Sequence, residues 1–158
     1  VSVSEVWQLL QDVKDPEIPA ISITELGIVR HLEIRDGRLS VELTPTFTSC
    51  PAYHVMVAAV ERRLRESGFE QLEVKTVLDP PWSSDWITDE GRAKLRAFGI
   101  AIGARHEGDI EGSLEGPIAC PYCGSTNTEI KNPFGPTRCR SICFCKSCIQ
   151  PFEWIKPL

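Results

Sequence analysis

Apolar positions in the first hundred residues alternate between helical and strand periods. Val6, Leu9, Leu10 and Val13 share one helical face, and Ser2 and Glu5 have the spacing of a capping box that would start that helix. Asp15-Pro16 should stop it near Lys14, because the residue before proline is steered away from helical geometry. Residues 28–34 and 39–43 read as two strands joined at Asp36-Gly37. In the second, Leu39, Val41 and Leu43 face inward while Ser40, Glu42 and Thr44 face out. Met56, Val60 and Leu64, four apart, predict a helix from Pro51 to about Ser67, with Gly68 as its stop. Leu72, Val74, Thr76 and Leu78 alternate as a third strand. Asp79-Pro80-Pro81-Trp82 breaks it, and Thr88 can cap a short helix through Phe98. The order α-β-β-α-β-α predicts a small α+β domain over residues 1–98, a three-stranded sheet covered by helices.

Periodicity then lapses. Residues 99–116 contain glycines at 99, 103, 108, 112 and 116 and are expected to be a linker, leaving 117–158 as a second module. Composition divides at the same place. The 42 residues from 117 to 158 hold six of the seven cysteines, and only Cys50 precedes them. Residues 1–116 have 12 basic and 20 acidic side chains, against 5 and 2 in the remainder, so an acidic body precedes a basic tail. The net charge of −5 argues against a whole-chain electrostatic grip on nucleic acid. No apolar run approaches the roughly 18–20 residues of a membrane-spanning helix. No signal-peptide pattern opens the sequence, so the expected compartment is the cytoplasm, where thiols stay reduced and clustered cysteines serve as metal ligands.

The tail contains Cys120-Pro-Tyr-Cys123-Gly and Cys145-Lys-Ser-Cys148, with 21 residues between the pairs. Two residues between cysteines turn both sulfurs toward one ion, and two such knuckles complete a tetrahedral thiolate shell. A closed shell of this kind is structural, and a module of 42 residues is small enough to need a metal. Zinc is the favoured ion; iron in the same shell, or an iron–sulfur cluster, also fits the spacing. The intervening segment has room for a hairpin turning near residues 132–135. Cys139, between Arg138 and Arg140, sits where a thiolate is favoured, and Cys143 reads as an ordinary hairpin cysteine. The tail's cations also offset the −2 charge of a zinc–tetrathiolate centre, with no anionic partner required.

Cys50 precedes Pro51, a preferred first helical residue, which places its sulfur at a helix N-terminus. There it is a candidate nucleophile or soft-metal ligand, or simply a buried cap. His54 lies one helical turn on, but no orienting third residue accompanies it, which speaks against a catalytic dyad. Asp15 and Glu17 flank a proline that fixes their turn; they read as hard oxygen ligands, a docking patch or solvated carboxylates. Trp82 and Trp86 stand on a Pro-rich loop, where core packing is the leading role and an exposed partner site the other.

Together these segments resemble a known family. Asp15-Pro16-Glu17-Ile18-Pro19, Leu26-Gly27-Ile28-Val29 and Thr44-Pro45-Thr46 leading to Cys50-Pro51-Ala52 are similar to the metal–sulfur cluster biosynthetic (iron–sulfur assembly) domain. Asp79-Pro80-Pro81-Trp82-Ser83-Ser84-Asp85-Trp86-Ile87 and Gly91-Arg92 extend the match. Phe134-Gly135-Pro136-Thr137 with Cys139, Cys145, Cys148 and Pro151-Phe152 narrows it to the PaaD (PaaJ) family, whose members are encoded with bacterial phenylacetyl-CoA epoxidase. The resemblance implies an accessory factor of phenylacetate degradation, not an enzyme. It implies a role in maturing iron–sulfur or di-iron components, so the partner would be the epoxidase's reductase or di-iron subunit. It maps the family's reactive cysteine onto Cys50, its acidic turn onto Asp15 and Glu17, and its zinc ligands onto Cys120, Cys123, Cys145 and Cys148. Cys139 also matches a family position, whereas Cys143 does not.

Three functions follow as expectations. The first is a maturation factor in which Cys50, with Asp15, Glu17 and Cys139, handles iron or a cluster transiently while a structural zinc holds the ribbon. The second is a non-catalytic binding subunit that stabilises the oxygenase assembly. The third, the least supported, is a cysteine enzyme. A homodimer is compatible with each.

Overall fold

A computed structural model describes residues 1–47, 50–103, 118–136 and 140–155, which fall into two compact units, 1–82 and 83–158. In the first, helix α1 (Val3–Leu10) starts at the expected capping box. Ser2 Oγ accepts from the Glu5 N–H at 3.3 Å, and the Glu5 carboxylate accepts from the Ser2 N–H at 2.6 Å. Strands β1 (Val29–Arg35) and β2 (Arg38–Leu43) form an antiparallel hairpin whose turn residues, Asp36 and Gly37, are both left-handed, with φ of 51° and 79°. Helix α2 (Ala52–Glu66) then crosses to β3 (Leu72–Thr76), which lies parallel to β2 and completes the sheet order β1-β2-β3.

The core of this unit follows the sequence periods closely. Val6 and Leu10 of α1, Val41 and Leu43 of β2, and Met56, Val60 and Leu64 of α2 are all buried. Trp82 is buried as well, and its indole N–H donates to the Leu26 carbonyl at 2.8 Å, which makes it a core residue rather than a partner site. Tyr53, the second residue of α2, exchanges a 2.9 Å hydrogen bond with Thr76 and so ties the start of the helix to β3. The Tyr53–Thr76 contact holds the N-terminus of α2, next to Cys50, against the three-stranded sheet.

The second unit begins with a short 3₁₀ helix (Ser84–Trp86) and helix α3 (Asp89–Ala97), which Thr88 caps by accepting from the Gly91 N–H. The α3 helix was expected within the first domain; the structure groups it with the cysteine-rich unit instead. The physical reason is β4 (Ile100–Ile102), which lies inside the expected linker and pairs in parallel with β7 (Gln150–Ile155). Arg92 reinforces the link by donating to the carbonyls of Gly103 and Ser84 at 2.9 and 3.0 Å. Residues 104–117, most of that expected linker, lie outside the described residues. Strands β5 (Thr128–Asn132) and β6 (Arg140–Cys145) form the expected hairpin, and the sheet order is β4-β7-β6-β5. Among the described residues no helix is long and apolar enough to cross a membrane.

Candidate metal centre and Cys50

The first knuckle leaves Ile118 and returns to β5; the second joins β6 to β7. Antiparallel pairing of β5 with β6 sets Thr128 opposite Cys145 and thereby brings the two cysteine pairs together. All four sulfurs, of Cys120, Cys123, Cys145 and Cys148, lie within 4.8 Å of one another. The Cys120–Cys148 and Cys123–Cys145 sulfurs are 3.7 and 3.6 Å apart. A zinc–sulfur bond of about 2.3 Å implies a tetrahedral edge of about 3.8 Å, so the donor set fits such an ion, and these separations are far too long for disulfides. Gly124 N–H donates to the Cys120 carbonyl at 2.9 Å, and Ser125 and Ser147 hydroxyls meet at 2.7 Å, closing the two knuckles around the site.

The thiols differ in acidity. Backbone N–H groups of Cys148 and then Ser147 point at Cys145 and hold its thiol down at about 7, against the opposing effect of burial. Burial, and then the adjoining thiols, push Cys148 up to about 12. At Cys123 the Ser125 N–H is the largest single influence and lowers the thiol, but burial and the Cys145 and Cys120 thiols outweigh it. Four thiolates at these separations repel one another, and a divalent cation removes the conflict. Cys143 stands apart from the ligands: it is fully buried with Ala101, Phe152 and Trp154, and burial pushes its thiol up to about 11. It packs as a small hydrophobe, which accounts for its place in the hairpin.

Cys50 is half-buried at the start of α2, where the Tyr53 N–H donates to its carbonyl at 3.1 Å and its own N–H donates to Phe47. Its neighbour Pro51 occupies the N-cap of α2 in helical geometry, as a residue with no N–H can. Asp15 is buried rather than solvated: one carboxylate oxygen accepts from the N–H groups of Glu17 and Ile18 at 2.8 and 2.9 Å, folding the chain around Pro16. Glu17 is exposed, as is His54. Among the described residues the four-cysteine group is the one cluster of three or more candidate ligands, and Cys50, Asp15 and Glu17 are not in such a cluster. Cys139 lies outside the described residues. Ile149 follows the second knuckle with a left-handed φ of 59° and is two-thirds exposed. The sequence already shows the isoleucine standing where the first knuckle has Gly124, and the two share a left-handed backbone.

Residues 4–78 match the family described as iron-sulfur cluster assembly protein, and residues 105–156 match the PaaD zinc beta ribbon domain. The chain is 36% identical over 154 residues, 98% of its length and 92% of the relative's, to an Escherichia coli K12 protein provisionally named as one of the subunits of 1,2-phenylacetyl-CoA epoxidase. It is 26% identical over 93 residues to an Fe-S protein maturation auxiliary factor of Porphyromonas gingivalis, covering 58% of this chain and 88% of that one. A solved domain of unknown function (DUF59) from Bacillus anthracis superposes with a TM-score of 0.55 at 25% identity, over 58% of this chain and 89% of the other. These relatives are named as a subunit and an auxiliary factor, not as catalytic enzymes. With both halves matched in order and a relative aligned over nearly its whole length, the chain belongs to the PaaD family, an iron–sulfur-assembly-type α+β domain followed by a zinc β-ribbon.

Proposed function

We propose that this protein is an accessory factor of a phenylacetyl-CoA epoxidase that assists iron or iron–sulfur loading of one of its components, the reductase or the di-iron subunit, in the cytoplasm. The observation that carries the reading is the position of Cys50. It is a partly accessible thiol at the head of α2, in a domain whose relatives include a protein named for Fe-S maturation. A resident iron–sulfur cluster needs several cysteine ligands. Cys50 is in no ligand cluster among the described residues, which favours brief capture and release over storage. Asp15 contributes by shaping the turn around Pro16, and Glu17 offers an exposed carboxylate beside it. Cys139 is a second candidate thiol for the cargo.

The four tail cysteines supply ligands for a resident zinc, whose chemistry here is structural: it neutralises the thiolates and stabilises a small ribbon. Metal analysis of anaerobically purified protein tests the division of labour. One zinc per chain should survive Cys50→Ser and be lost with Cys120→Ser, while iron taken up on reconstitution should depend on Cys50. Iron uptake unchanged by Cys50→Ser would overturn the delivery role.

A second reading is a binding subunit that stabilises the oxygenase assembly without handling iron. The exposed Tyr122 and Ile149 at the two knuckles favour it. It predicts stoichiometric co-purification with the oxygenase and indifference to the loss of Cys50.

A further inference from the structure

A zinc ion held by four thiolates is a doubly anionic centre, and the nearby cations of the tail do not answer that charge alone. Lys131 and Lys146 are both committed to the Glu129 carboxylate, and Arg140 is held by Glu153, so each comes with a counter-charge of its own. Arg92, on α3, donates to the carbonyls of Gly103 and Ser84. Among the described residues of the second unit, Arg96 is the one cation with neither a hydrogen bond nor an ion pair.

Arg96 stands in the last turn of α3, and Gly99, just beyond it, packs against the Tyr122 ring of the first knuckle. A cavity of about 310 Å³ lies where the two meet. Its sides include Arg96 and the metal ligand Cys120, with Ala101, Ile102, Ala119 and Pro121 as apolar walls. Lys94, the other cation of that helical turn, does not line it. Apolar walls displace water and weaken screening, so charges that share a cavity act on each other more strongly than across open solvent. Metal binding by cysteines releases protons and leaves the site anionic, so a cation facing the same cavity favours the bound state.

We propose that Arg96 is the counter-charge of the metal centre, a positioning residue that is not a ligand but slows the loss of the metal. The inference rests on the four cysteines holding a resident zinc. It adds that retention depends on a side chain supplied by α3, ahead of the region matched to the zinc ribbon family. A four-thiolate shell accepts iron as well as zinc, so slow zinc release keeps the ribbon apart from the iron handled at Cys50.

The test is release of zinc from the loaded full chain to excess chromogenic chelator, anaerobically, under reducing conditions and at one pH. Wild type, Arg96→Gln, Arg96→Lys and Lys94→Gln are compared. Arg96→Gln should release zinc about threefold faster than wild type in low salt, a modest factor because Arg96 is also exposed to solvent. Arg96→Lys should restore slow release, and Lys94→Gln should keep the wild-type rate. The effect of Arg96→Gln should close at about 1 M salt, where screening acts within about 3 Å. Equal release by Arg96→Gln and wild type in low salt overturns the inference. Equal acceleration by Lys94→Gln also overturns it, because it assigns the effect to the dipole of α3. Acceleration that persists in high salt or in Arg96→Lys assigns the side chain to packing, against the proposal. A wild-type chain that holds no zinc overturns the metal reading as well, so the two failures are told apart.

Discussion

The ring of Tyr122 lies directly over the backbone of Gly99, so close that a β-carbon on Gly99 would collide with the phenol. Gly99 is also left-handed, with φ of 88°. The first knuckle is thereby seated on the turn between α3 and β4, and the metal site becomes continuous with a segment that neither matched family region includes. Gly99→Ala should destabilise the unit by about 2 kcal/mol, from backbone strain and the steric clash together. Adding Tyr122→Ala should relieve the steric share, leaving a coupling of about 1 kcal/mol in a double-mutant cycle measured by thermal denaturation. Strictly additive losses would show that the contact does not constrain the knuckle.

Metal removal should act on one unit only. Chelation under reducing conditions is expected to raise amide hydrogen exchange in β5, β6 and β7, and in β4 through its pairing with β7, while β1 and β2 stay protected. Hydrogen exchange read by mass spectrometry separates the two sheets. Uniform exchange through both would contradict independent units.

Arg140 is nearly enclosed, with a side chain 7% exposed, and its guanidinium meets the Glu153 carboxylate at 2.5 Å. Glu153→Gln replaces the ion pair with a neutral hydrogen bond, and Glu153→Ala removes this carboxylate altogether. The expected costs are about 1 kcal/mol and about 3 kcal/mol respectively in denaturant unfolding. Exposed pairs such as Arg35–Glu33 should cost well under 1 kcal/mol on the same treatment.

The start of α1 should respond to acid. The backbone N–H of Ser2, and then its hydroxyl, hold the Glu5 carboxyl below its ordinary value of 4.5. A carboxyl whose folded value is depressed stabilises the fold fully above 4.5, and that contribution fades as pH falls through the depressed value. Exchange at the amides of the first turn should therefore rise relative to that of α2 below pH 4.5, and Glu5→Gln should remove the difference.

The parts of this fold that announce themselves in the sequence are those stabilised locally. Asp36-Gly37 specifies its own turn, Met56, Val60 and Leu64 mark one face of α2, and Cys120-x-x-Cys123 with Cys145-x-x-Cys148 needs only two knuckles to meet. What was not legible depends on distant partners. The strand Ile100–Ile102 is too short to show a period, and its pairing partner is some fifty residues away at Glu153–Ile155, so a glycine-rich context read as linker. Strand β7 begins Gln150-Pro151 and lacked a strand signal for the same reason. Asp15 is different: its two donors are the N–H groups of Glu17 and Ile18, only two and three residues along, so its burial rests on a local turn around Pro16. At Ile149 the residue is plain in the sequence, but its left-handed backbone is not.

The central claim, that Cys50 hands iron to the epoxidase while the ribbon cysteines hold a structural metal, is tested most directly by the iron content of the reductase and of the di-iron subunit. Both would be purified from cells carrying wild-type protein, Cys50→Ser, or no copy at all. Cys50→Ser should accumulate to wild-type levels with its zinc intact and still leave one of the two as iron-poor as the deletion does. Both components fully loaded in the presence of Cys50→Ser would contradict the account.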